Sequence, residues 1–117
     1  MGTDIPKTYI LQPGPIGRDY RLTQVIPVQV REDRRASLRL VLMSYQFNCG
    51  APPIEVSGED IDSAELELRR VLAERYRTLT ELEKAQLPRK PTKEETNMLL
   101  ELSDFVRGTK PELSGIL

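Results

Sequence analysis

The feature that most constrains this chain is a change of hydrophobic period close to its midpoint. Before residue 58 apolar side chains recur every second residue; after it they recur every third or fourth. A two-residue period lines one face of a strand, and a period near 3.6 lines one side of a helix. Strands followed by helices, rather than alternating with them, make an α+β fold. Charge changes at the same place: residues 1–58 carry 7 basic and 5 acidic side chains, residues 59–117 carry 10 and 13. A chain of 117 residues is the size of one domain.

The clearest strand runs over about 21–31, where Ile26, Val28 and Val30 share a face. A second, about 37–47, sets Leu38, Leu40 and Leu42 on one face and Val41, Met43, Tyr45 and Phe47 on the other. Apolar groups on both faces make the second the inner strand. Pro27 has no N–H to give a ladder, so the first is an edge there or is bulged. Arg31–Ser37 then reads as a charged hairpin connection of about five residues. Asn48–Pro53 breaks the sheet, and Ile54-Glu55-Val56 adds a brief third strand.

Two helices follow. Over about 62–86, Ile61, Leu68, Leu72, Tyr76, Leu79 and Leu82 recur at helical spacing, with Asp62 as N-cap and Glu65 three residues on. Over about 93–107, Thr92 and Glu95 form a capping box, Met98, Leu99, Leu102, Phe105 and Val106 make the stripe, and Gly108 is the C′ residue. The expectation is an antiparallel hairpin or small sheet of about three strands packed by two C-terminal helices. Residues 1–19 form an extended Pro/Gly-rich arm, 20–108 a single domain, and 109–117 a flexible tail in which Leu113, Ile116 and Leu117 are available to dock.

Composition narrows the chemistry. Histidine is absent, which removes the Ser-His-Asp triad, the Cys-His pair and any histidine metal site. One cysteine builds neither a disulfide nor a Cys-rich zinc site. Cys49 therefore reads as a partly buried structural thiol without a base. Glu55, Glu59, Asp60, Asp62 and Glu65 lack the ligand spacing of a calcium loop, and favourable charge at a helix N-terminus accounts for them. The glycines form no phosphate-binding motif. No metal or cofactor is expected, and the chain reads as a non-enzyme. Leu38–Phe47 is too short and too polar to span a membrane, and the first residues lack the pattern of a signal peptide. With its lone thiol, this gives the expectation of a cytoplasmic protein without a membrane partner.

Two binding readings remain. Arg31, Arg34, Arg35 and Arg39 concentrate positive charge on the hairpin, which suits nucleic acid; Glu32 and Asp33 sit among them and reduce the excess to two charges. The favoured reading is a small interaction module, such as an accessory subunit, assembly factor or regulator, that binds another protein or itself. Tyr9, Ile10, Leu11 and Ile16 mark the arm as pinned to its own domain or to a partner. Leu66, Val71 and Leu87 lie off the main helical stripe and widen it toward a docking face.

Overall fold

The computed structural model of the chain describes residues 7–35 and 38–109. The fold is α+β: seven strands in two antiparallel sheets pack against two helices. In chain order these are β1 (Lys7–Leu11), β2 (Gly14–Ile16), β3 (Tyr20–Leu22), β4 (Ile26–Arg35), β5 (Leu38–Tyr45), β6 (Ile54–Gly58), α1 (Ile61–Ala85), α2 (Lys93–Ser103) and β7 (Val106–Gly108). The larger sheet has the order β1-β4-β5-β6 and the smaller β2-β3-β7. Among the described residues no helix is long and apolar enough to cross a membrane.

Alternation sorts the larger sheet cleanly. Leu11, Ile26, Val28, Val41, Met43, Tyr45, Ile54 and Val56 are buried on its inner face, beneath Ala64, Leu68, Leu72 and Leu79 of α1 and Met98 and Leu102 of α2. Gly58 closes β6 where the first turn of α1 crosses it. A Cβ there would lie 2.5 Å from the Ala64 amide nitrogen, so only glycine leaves the helix room. The outer face carries Thr8, Ile10, Gln29, Ser44, Glu55 and Ser57 in register.

Several boundaries differ from the expectation, each for a physical reason. The charged stretch after Val30 is paired strand: β4 continues to Arg35, opposite Leu38, and only residues 36 and 37 separate the strands. Those two lie outside the described residues. Both β4 and β5 are inner strands, yet Pro27 sits where β4 pairs with β1 alone, because the β5 ladder begins at Gln29. The arm is not separate. Residues 7–11 add an edge strand to the larger sheet and residues 14–16 begin the smaller one.

Asp60, not Asp62, caps α1, its carboxylate accepting the Ser63 amide at 2.8 Å. The capping box of α2 forms as expected from Thr92 and Glu95. The Arg89 guanidinium, 2.7 Å away, and then the Thr92 amide hold the Glu95 carboxyl down at about 2. However, α2 stops at Ser103 instead of 107. Phe105 gives its carbonyl to the Thr23 amide at 2.9 Å, and Val106–Gly108 pair with β3, so Gly108 is a strand residue and not a helix cap. The expected tail begins fixed, since the Thr109 amide donates to the Asp19 carbonyl at 2.8 Å. Leu113, Ile116 and Leu117 lie outside the described residues.

Candidate protein-binding surface

The seven candidate contact residues divide into buried and exposed sets. Leu11 and Ile16 are fully buried in the chain's own core. Tyr9 is half-buried and its hydroxyl donates to Glu65 on α1. Glu65 accepts from Arg69 at 2.9 Å, one helical turn on, and Arg69 donates to the Gln12 carbonyl at 3.0 Å. This relay staples the N-terminal segment to α1 at two points. Its Glu65 bond, burial and the carboxylate charge raise the Tyr9 pKa, in that order. The apolar arm is thus consumed largely within the molecule, leaving Ile10 on the outer sheet face at 43% exposure.

On α1 the buried positions Ala64 and Leu68 flank Leu66 by two residues. At 100° per residue that turns Leu66 to the far side of the helix, where it is 72% exposed between charged neighbours. Leu87, just past the C-cap Gln86, is also 72% exposed. Val71 is half-buried against the core. The structure therefore leaves Ile10, Leu66 and Leu87 free for contact and withdraws Leu11 and Ile16.

The basic hairpin is less concentrated than its sequence. Arg39 pairs with Glu32 across the ribbon. Register sets Arg31 opposite Leu42, Arg34 opposite Arg39 and Arg35 opposite Leu38. The acidic candidates are likewise dispersed: Asp60 is the helix cap and Glu65 belongs to the Tyr9 relay. Among the described residues no three Cys, Asp or Glu groups converge as a metal set would.

Sequence reasoning missed a second polar centre. Glu101 of α2 takes the Tyr45 hydroxyl, the Asn48 amide at 2.9 Å and the Cys49 amide at 3.0 Å. Burial pushes its carboxyl up, but the Tyr45 hydroxyl and the two amides outweigh this, and the pKa ends below the ordinary carboxylate value. Burial, then the bond to Glu101, pushes the Tyr45 phenol well above its ordinary value. Cys49 is exposed, not partly buried, at the rim of this centre. Beside it lies a cleft of about 430 Å³ between the β3–β4 connection, the end of β5 and the end of α2. A lone Glu in an apolar stripe, at the position where Leu102 and Met98 turn inward, was the only sequence signal for it. Comparison with family models, curated proteins and solved structures gives no match to this chain.

Proposed function

We propose that the chain is a non-enzymatic protein-binding module of the cytoplasm, an accessory, assembly or regulatory component that works by holding another polypeptide or a second copy of itself. The observation that supports this reading is the exposure of Leu66 and Leu87 although the inner faces of both helices and of the larger sheet are already filled without them. Single exposed leucines are common on surfaces; here two of them accompany Ile10 and an outer sheet face that neither helix covers. The nucleic-acid reading has less support, because Arg39 is engaged by Glu32.

The test uses the whole chain and a Leu66→Asn, Leu87→Asn variant. Both should melt within ~0.5 kcal/mol of each other, as expected for exposed sites. Capture from the native cell, with sedimentation of the purified chain, should show a polypeptide partner or a dimer that the variant loses, as anchor residues are lost from an interface. A strict monomer that retains no polypeptide overturns the reading.

A further inference from the structure

The cleft beside Glu101 combines features that a basic side chain requires. Val25, Ile26, Pro27, Tyr45 and Phe105 supply the apolar half of its lining, and Gln24, Gln46 and Asn48 line it beside them. Val25 stands 53% exposed at the mouth, a large aliphatic side chain kept in water by the turn that leads into β4. Tyr45 and Phe105 of this lining meet edge-to-face with centroids 5.6 Å apart. Glu101 and Asp104 line the same cleft, and no lining residue is basic. Gln24 donates its side-chain amide to the Asp104 carbonyl at 2.7 Å, which fixes the wall against the end of α2. The Asp104 carboxylate itself has no hydrogen-bond or ion-pair partner among the described residues.

Apolar lining side chains together with two acidic residues and no basic one match a methylene stem that carries a cation, since lysine and arginine pack their stems on apolar surface and keep the charged head among polar groups. An anionic ligand is repelled by the carboxylates, and a bare inorganic cation gains nothing from the apolar side chains. The volume falls in the range of small-ligand sites. We propose that this cleft receives a lysine or arginine side chain of the partner polypeptide, with Asp104 as its charge partner and Val25 and Pro27 as its sleeve. This rests on the protein-binding reading and names the chemistry of the partner.

The probes are Nα-acetyl-lysine N-methylamide, its arginine counterpart and the uncharged norleucine counterpart, each titrated into the full chain under amide NMR. Both basic probes should shift the Val25, Asn48 and Phe105 amides with a dissociation constant of about 1–10 mM, as befits a fragment of this size. Norleucine should not. Asp104→Asn, with an unchanged melt, should weaken the basic probes at least about threefold, and raised salt should weaken them further. Equal shifts from norleucine, or none from any probe, overturn the assignment. A captured polypeptide that Leu66→Asn, Leu87→Asn releases but Asp104→Asn does not would sink the cleft and leave the module standing. Basic probes that bind while no polypeptide is retained would sink the module and leave a cation cleft.

Discussion

In the larger sheet, β4, β5 and β6 follow one another along the chain and β1 joins from a short way upstream. In the smaller sheet, β2 pairs with β3, and β3 pairs with β7, roughly eighty residues further on. The first is built from strands of five to ten residues, the second from strands of three. Yet Leu22, Ile16 and Val106 of the smaller sheet are as fully buried as Met43 and Val41 of the larger. The difference teaches that strand length and closeness in sequence do not set a strand's share of the core. A short ladder is worth little by itself; it holds because each of its strands inserts a large side chain into a shared interior.

The sharpest way to break that comparison is to truncate one residue in each sheet. Leu22→Ala and Met43→Ala each remove a fully buried side chain, and each should cost ~2–5 kcal/mol by denaturant melting. If Leu22→Ala cost less than ~1 kcal/mol while Met43→Ala kept its full effect, the smaller sheet would be an appendage that frays alone.

Next in size is the Tyr45–Glu101 bond, which ties the larger sheet to the helix leading into β7. Tyr45→Phe should destabilise by ~1.5–3 kcal/mol, the range for hydrogen bonds to a charged group. The pH dependence has two arms. Glu101 is held below its unfolded pKa, so its contribution is complete above about pH 4.5 and fades as pH falls through the folded value. Tyr45 is held above its unfolded pKa, so its contribution is complete below about pH 10 and fades as pH rises toward the folded value. Melting of Tyr45→Phe should lose the alkaline arm and Glu101→Gln the acid one.

The smallest effect concerns a mismatch confined to the smaller sheet. Arg21 lies directly opposite Arg107. The bonds from Thr23 to Phe105 and from Thr109 to Asp19, two residues to either side, place this pair in the hydrogen-bonded class, with Cα atoms ~5.5 Å apart. Arg107 finds relief by donating to the Val106 carbonyl at 3.0 Å and to that of Ser103 at the end of α2, whereas Arg21 has no such bond among the described residues. Arg21→Glu should therefore raise stability by ~0.2–1 kcal/mol. A loss would mean that Arg21 makes a contact which the register alone does not convey.

The same contrast explains what could be read from the residues. The strands of the hairpin and both helices were legible because each repeats its period over many residues: Ile26, Val28 and Val30 in one, Leu68, Leu72 and Leu79 in another. Gly14–Ile16, Tyr20–Leu22 and Val106–Gly108 offer one apolar side chain or two apiece, too few to show a period. Phe105 and Val106 even continue the helical spacing of Met98 and Leu102. Only the pull of β3 shows that the chain has left the helix before them. Asp62 was the expected cap because Glu65 follows it three positions on, but Asp60 is followed in the same way by Ser63, and it is Asp60 that holds the N-cap. At the candidate surface, the exposure of Leu66 and Leu87 follows from their place off the stripe, whereas Val71, off the stripe as well, is half-buried against the core. Leu11 and Ile16 were not separable from Ile10, since burial of an arm depends on partners such as Glu65 and Arg69 that lie far along the chain.

The pairing of β3 with β7 also sets an order of events during synthesis. A ribosome adds about 5–20 residues per second. Leu22 therefore waits about 4–17 s between its own translation and that of Val106, its partner in the ladder. Throughout that interval the hairpin of β2 and β3 has an open edge, although α1, made earlier, packs against β2. The nascent chain is most vulnerable to wrong association while its larger sheet is already able to form, and the last strand of the described fold, three residues long, ends that exposure.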